Sequence, residues 1–245
     1  MILLIDMGNS RTKYCSIDEQ NYNQLTKMRV VDNNNFINVF FNDIASNSDL
    51  EKVIISNVGA NLLVEQLIKW CKISQVAFIS VKSEASKNGV ISGYTRPQQL
   101  GVDRWLTLLA VAKIFPRENV LIIDAGTATT IDLIAATGQH HGGWILAGVS
   151  SLFNSLLEDT THVVAEQKDS LPLTFGNDTT SNVNSACWAA TVGFINQAIT
   201  QANVVLNTLD KIVITGGNAA ALQKLVTKEM ILIDDLILCG LSSYH

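Results

Sequence analysis

The chain has 245 residues, 47% apolar and 16% charged, with a formal net charge of -5; that length builds one large domain or two small ones, and that composition excludes long disorder. An acidic balance without a Lys/Arg-rich run excludes a nucleic-acid backbone binder, which needs cations to displace counterions. The 4 cysteines, Cys15, Cys71, Cys187 and Cys239, are too scattered for a zinc knuckle, a CxxC redox pair or a disulfide framework, and free thiols in an apolar chain point to a reducing compartment.

The opening MILLID reads as a buried strand over 2–5 and not as a signal peptide, because Asp6 follows at once with no basic leader and no cleavage site. The strand ends in Asp6-Met7-Gly8-Asn9-Ser10, a cluster of turn formers, and residues 14–17 form its partner. Residues 20–50 are polar and Asn-rich around a weak strand at 28–31 and a helix at 36–44. Another buried strand covers 53–56. The helix after it carries Leu63, Leu67 and Cys71 at i, i+4 and i+8, and a strand at 76–79 closes this unit. The loop Gly93-Tyr94-Thr95-Arg96-Pro97 then leads to Gly101 and a helix from about residue 102. From Trp105 to Phe115 it is apolar except for Thr107 and Lys113. Such a run is too short to cross a bilayer, which takes about 20 residues. A helix apolar all round is buried, between domains or in a subunit interface. The chain reads as soluble and cytoplasmic, with no membrane partner.

After Pro116 the pattern restarts. A buried strand at 120–123 ends in Asp124-Ala125-Gly126-Thr127, a second strand covers 129–134, and a third runs to residue 145 after a turn at Gly138. Val149, Leu152, Phe153, Leu156 and Leu157 mark an amphipathic helix, and a long helix spans 180–206. A strand at 212–214 is capped by Thr215-Gly216-Gly217, with a helix and a strand after it. Both halves therefore open as apolar strand, Asp-x-Gly, small polar residue, strand. A repeat that long is a domain duplication, not a solenoid. The expected architecture is α/β, with two similar ribonuclease-H-like halves, 1–100 and 101–245, and a ligand cleft between them.

A strand ending in Asp6 puts a carboxylate at the tip of a buried sheet. Gly8 lets the backbone approach a ligand, and the following N–H groups and hydroxyls can cradle phosphate oxygens. Lys13 adds a positive charge, and Asp6 could hold Mg²⁺ directly or through water. Taken alone, the same residues describe an ordinary hairpin turn with a solvated Lys. The second copy, Asp124 to Asp132, changes that weighting, because two facing phosphate loops are the architecture of the actin, Hsp70 and sugar-kinase nucleotide fold. GxxxxGK[ST] and a GxGxxG following a strand are both absent, which sets aside a P-loop enzyme and a dinucleotide site. Gly101-Val102-Asp103-Arg104-Trp105 is the third element. In a kinase cleft Asp103 could accept the proton of an attacking hydroxyl, and Arg104 could grip a carboxylate bidentately. The alternative is a helix N-cap with a surface ion pair. Thr215-Gly216-Gly217-Asn218 could flank an adenosine or be a plain strand-to-helix turn. His140 and His141, as strand neighbours, point to opposite faces and read as non-ligands.

The segments DMGNSRTK (6–13), GYTRPQQLGVDRW (93–105), DAGTATTID (124–132), GGWILAG (142–148), TGGNA (215–219) and DLILCGL (235–241) together resemble the type III pantothenate kinases. That family phosphorylates pantothenate in the first step of coenzyme A synthesis. The resemblance implies that Asp6, Met7, Gly8, Asn9, Ser10, Arg11, Thr12 and Lys13 form the first ATP phosphate loop, with Asp6 near Mg²⁺. It implies that Gly101, Val102, Asp103 and Arg104 bind pantothenate, with Asp103 as general base and Tyr94 in the substrate pocket. Asp124 matches the ligand of an activating monovalent cation, K⁺ or NH₄⁺, and Thr127 matches an ATP contact. Thr179, or the adjacent Thr180, matches a substrate-contacting threonine. Members are homodimers whose pantothenate pocket is completed by the second subunit, which would account for the apolar helix after Asp103. Ser10 stands where the family usually has Thr, Ala147 where Pro is common, and Asn218 where Asp is common; none of these removes a catalytic group. Residues 177–186 depart most. Other acceptors within the superfamily would not need the GxDRW element. A nucleotide-binding regulatory protein would not need Asp6, Asp103 and Asp124 together.

Overall fold

A computed structural model describes residues 1–9, 11–17, 25–45, 49–57, 61–160, 162–168 and 173–245. It divides into two compact units, 1–114 with 235–245, and 115–234.

The first unit is built on strands β1 (Ile2–Met7), β2 (Arg11–Ile17), β3 (Arg29–Asp32), β4 (Lys52–Asn57) and β5 (Ala77–Ser80), with helices α1 (Asn33–Val39) and α2 (Asn61–Ile73). The sheet order is β3-β2-β1-β4-β5. β1 pairs antiparallel with β2 and parallel with β4. All of β1 is buried because it is central. Leu3, Ile5 and Met7 alternate onto one face, where Phe36, Phe40, Leu67 and Cys71 pack against them. The helix expected at 36–44 starts at Asn33 and changes at Phe40 into a π-helical turn over Phe40–Ile44. That wider turn lets Phe36, Phe40 and Ile44 all reach the core. β6 (Ser86–Lys87) and β7 (Val90–Ile91) form a small hairpin whose turn residues Asn88 and Gly89 have φ of 49° and 83°. Asn-Gly is the pair that such a turn favours.

From sequence the second half begins at residue 101, yet helix α3 (Val102–Ile114) belongs to the first unit. The reason lies at the far end of the chain. Helix α7 (Leu236–Leu241) returns to pack on α3 and on β1, β2 and β4. A Cβ at Gly240 would collide with the carbonyl of Leu106, so the two helices approach at backbone distance there. Trp105, Leu106, Leu108 and Leu109 are buried in consequence. Much of the burial that the apolar run demands is thus supplied inside one chain.

The second unit repeats the plan. Strands β8 (Val120–Ala125), β9 (Ala128–Ile134), β10 (His140–Ala147), β11 (Lys211–Thr215) and β12 (Ile231–Leu232) lie in the order β10-β9-β8-β11-β12. Helices α4 (Val149–Glu158), α5 (Thr179–Leu206) and α6 (Ala219–Leu225) complete it. Its core joins Leu121, Ile123 and Ile131 of the sheet to Phe153 of α4 and to Trp188 and Ile195 of α5. The expected duplication is visible in strand order and direction, and it extends to single residues. Asp6 lies in register with Lys13 and Ser56, and Asp124 with Thr130 and Thr215. All 4 cysteines are free. Burial pushes the thiols of Cys71 and Cys239 up to about 11 and that of Cys15 up to about 12.

Candidate active site: two hairpin loops and a helix start

The turn between β1 and β2 carries the first set of expected residues. The Gly8 N–H donates to the Arg11 carbonyl at 3.1 Å, closing the hairpin, so this N–H is spent inside the turn. A Cβ on Gly8 would lie 3.1 Å from that same carbonyl. Met7 is fully buried in the core, which leaves only its backbone for a ligand. Thr12 is also fully buried, and its hydroxyl donates to Asn33 Oδ1 at 2.8 Å. Asn33 Nδ2 in turn donates to the carbonyls of Gly8 at 2.9 Å and Asn9 at 3.0 Å. Arg11 is exposed, with Nε 3.5 Å from Asp32. Ser10 lies outside the described residues. Asp6 is buried at the tip of β1, flanked across the ladders by Lys13 and Ser56. Ser56 Oγ is buried with no hydrogen-bond partner. A buried carboxylate beside an orphaned hydroxyl is an oxygen donor set that fits a hydrated Mg²⁺.

The turn between β8 and β9 carries the second set. Asp124 lies opposite Thr130 and Thr215, both neutral hydroxyl residues. Gly216 has φ of 96°, and a Cβ there would sit 2.6 Å from Asp124 Oδ1 and from the Ala125 backbone. Only glycine can close over this carboxylate. Carboxylate and hydroxyl oxygens in a glycine-lined recess are hard donors of the kind that suit K⁺ or NH₄⁺. The carbonyl of Thr127 accepts from the Gly148 N–H at 2.9 Å and from Ser151 Oγ at 3.1 Å, while the Thr127 side chain is exposed. Gly148 is the N-cap of α4, and a Cβ on it would lie 2.5 Å from the carbonyls of both Gly126 and Thr127. The positive end of α4 therefore abuts this loop and favours an anion beside it. Among the described residues no group of three or more His, Cys, Asp or Glu could hold a metal ion. Each carboxylate would share its ion with phosphate or water.

The third set gathers at the start of α3. Asp103 stands in the first helical turn, and its Oδ1 accepts from the Arg104 N–H at 2.8 Å. A Cβ at Gly101 would lie 2.5 Å from that oxygen, so glycine is what allows the carboxylate to fold back over the turn. Arg104 is not the surface cation of the alternative reading: it is 4% exposed. Its Nη1 donates to Tyr94 Oη at 2.8 Å, and the guanidinium lies 5.6 Å from the Tyr94 ring centroid. Burying a guanidinium costs free energy unless its donors are satisfied, and the Tyr94 hydroxyl meets one of them. Thr179 is exposed at the first turn of α5, whereas Thr180 Oγ1 accepts from the Glu166 N–H at 3.4 Å. Of the two threonines, Thr179 presents the more accessible hydroxyl. His140 is buried and 2.9 Å from Asp132, while His141 is exposed, the opposite facing expected of strand neighbours.

Two features escape a sequence reading. Asn33 sits in the run Asp32-Asn33-Asn34-Asn35, whose only local signal is a helix start. Trp105 Nε1 donates to Tyr244 Oη at 3.0 Å, and that hydroxyl donates to Glu84 at 2.5 Å. Lys87 lies 4.2 Å over the Tyr244 ring. Burial and the bond to Glu84 push the Tyr244 phenol upward. These partners are more than a hundred residues apart in the chain, beyond any local pattern.

A sequence model of the type III pantothenate kinase family matches residues 2–201. The chain belongs to this family. A type III pantothenate kinase from Colwellia psychrerythraea is 44% identical over 254 aligned residues, covering 100% of both chains. Among solved structures, a Campylobacter jejuni protein titled as of the Baf family of transcriptional activators superposes with a TM-score of 0.61 at 22% identity, over 97% of this chain and 94% of that one. MreB 5 of Spiroplasma citri, solved with AMPPNP, superposes with a TM-score of 0.51 at 11% identity, over 99% and 94%. At such identities these two speak to the fold alone, which is the actin and sugar-kinase fold.

Proposed function

We propose that this chain transfers the γ-phosphoryl group of ATP to the primary hydroxyl of pantothenate, the first step of coenzyme A synthesis, with Asp103 as the general base. The observation that carries the residue assignment is the start of α3. One short segment there offers a carboxylate shaped by Gly101 and a buried guanidinium held by Tyr94. Pantothenate carries a hydroxyl at one end and a carboxylate at the other, and these two groups answer it. Asp103 orients the hydroxyl and takes its proton as the oxygen bonds to the γ-phosphorus; the bond from that phosphorus to the bridging oxygen breaks, and ADP leaves. Arg104 binds the carboxylate, and Tyr94 and Thr179 line the substrate. The turn from Asp6 to Lys13 binds the phosphates through backbone N–H groups and Lys13, and Thr127 contributes from the second loop. Asp6, with Ser56 beside it, would hold Mg²⁺, and Asp124 would hold the monovalent cation; when bound, these ions offset charge on the phosphates.

The enzyme works as a homodimer in the cytoplasm. Support for the dimer comes from α5, whose outer face exposes Ala186, Ala189, Ala190 and Gly193 beside a groove of about 400 Å³ bordered by Leu173 and the fully exposed Phe175. Small residues let a second helix approach closely, and a solvated Phe is costly unless covered. Support for the compartment comes from the free thiols. No helix among the described residues is long and apolar enough to cross a membrane.

The test is ADP release with ATP, Mg²⁺ and K⁺, with and without pantothenate. Pantothenate-dependent turnover is expected. Its absence in folded, dimeric protein would sink the assignment.

A further inference from the structure

We propose that Asn33 is a positioning residue for nucleotide, acting by fixing the peptide planes of the first hairpin loop. This rests on the reading of that loop as a phosphate binder. The carboxamide of Asn33 is committed on both sides: Oδ1 accepts from the Thr12 hydroxyl at 2.8 Å, and Nδ2 donates to the carbonyls of Gly8 at 2.9 Å and Asn9 at 3.0 Å. A trans peptide is planar, with its C=O and N–H pointing opposite ways. Gripping the Gly8 carbonyl therefore turns the Asn9 N–H away from Asn33. The Gly8 N–H is already closed on the Arg11 carbonyl, so the loop's capacity to meet an anion depends on the amides that follow. The neighbouring contact from outside the hairpin, Arg11 to Asp32, is by contrast exposed and 3.5 Å long. Thr12, buried and pointing at Asn33, completes the clamp from the floor of the sheet.

The side chain that does this comes from the first residue of α1, on the far side of β3 from the loop in sequence; it grips the backbone carbonyls of Gly8 and Asn9 and is itself anchored by the Thr12 hydroxyl. Its effect on a ligand is therefore on geometry, not on charge. Loosening the clamp should cost nucleotide affinity while leaving the pantothenate segment at α3 alone.

The discriminating variant is Asn33→Asp in the full-length protein. It keeps the size and the acceptor for Thr12, but replaces the donor to the two carbonyls with an oxygen that repels them; because a carboxylate also repels phosphate directly, the uncharged Asn33→Leu is measured beside it and must show the same loss of nucleotide affinity. Binding of a non-hydrolysable ATP analogue is measured by titration calorimetry, together with KM for each substrate, kcat and Tm. The expected result is a Kd for the analogue and a KM for ATP raised about tenfold or more, with KM for pantothenate within about twofold of wild type. Asn33→Gln, which restores an amide donor one methylene further out, should recover part of the loss. Unchanged nucleotide binding in Asn33→Asp would overturn the proposal. So would a rise in both KM values together with a falling Tm, the pattern of a merely structural residue. If Asn33→Asp does not fold, the same comparison is read from Asn33→Gln against wild type. A wild-type protein that binds no nucleotide would instead overturn the assignment of the loop itself, and the proposal with it.

Discussion

In the first unit the aspartate at the tip of the central strand stands across the hairpin from Lys13; in the second it stands across from Thr130. Strand order, direction and the position of the aspartate are otherwise the same. The first loop thus brings its own cation and is braced from outside by a side chain, Asn33. The second has hydroxyls where the first has Lys13, is braced by backbone at Gly148, and has Gly216 closed over its carboxylate. Duplication kept the scaffold, because the buried strands constrain one another, and the loops diverged in charge. Under the proposed assignment, the loop with a built-in cation meets the phosphates, and the loop without one holds an ion recruited from solution.

The largest effect expected lies outside both loops and calibrates them. Asp103→Asn should lower kcat by roughly 10²- to 10⁴-fold, the usual worth of a general base, with binding of an ATP analogue retained; near-wild-type kcat would break the assignment. Next in size is the second loop. Replacing K⁺ with Na⁺ should collapse activity, and Gly216→Ala, whose methyl would press on Asp124 at 2.6 Å, should raise the K⁺ concentration needed for half-activation. Equal rates in the two salts would erase the contrast between the loops. Gly101→Ala is expected to be milder. The new methyl would meet Asp103 Oδ1 at 2.5 Å, which a rotamer change relieves, so kcat should fall about tenfold with little change in KM for ATP.

Two smaller effects concern the scaffold that both loops share. Cys15, Cys71 and Cys239 have folded-state pKa values raised from 9.0 to about 11 or 12 by burial, Cys15 and Cys239 also by Asp235. Groups raised in the folded state contribute fully below their unfolded value and lose that contribution as pH climbs. Tm should therefore be flat with respect to these thiols up to about pH 8 and fall as pH rises from 9 towards 12. A thiol titration at pH 8 should find Cys15 unreactive until the protein is denatured. Asp178 works the other way. Its carboxylate caps α5 through Ser181, which lowers its pKa, so the small stabilisation it gives is present above the ordinary carboxylate range and lost as pH falls. Asp178→Ala should lower Tm slightly at pH 7, and less in acid.

Much of the fold could be read along the chain. Periodicity located β1, β4, β8 and β11, and the spacing of Leu63, Leu67 and Cys71 located α2, since these signals arise from residues that are near neighbours in sequence. Boundaries moved where backbone geometry ruled: β2 begins at Arg11, three residues early, because the Gly8–Arg11 turn is tight. The π-helical turn at Phe40 leaves no local mark, being chosen by the core that Phe36, Phe40 and Ile44 share.

The sequence by itself determined the duplicated α/β plan, the two Asp-x-Gly turns and the GVDRW helix start, all of them contiguous patterns whose physics is local. The tertiary structure alone decided that α3 belongs with the first unit, because α7 closes on it at backbone distance through Gly240. It alone buried Arg104 on Tyr94, joined Trp105 to Tyr244, and set Asn33 against the Gly8 and Asn9 carbonyls. The last two pair polar groups distant in sequence, and the first closes across the 10-residue separation of Tyr94 and Arg104. A buried donor must find an acceptor wherever the packed chain brings one, and no stretch of sequence records where that will be.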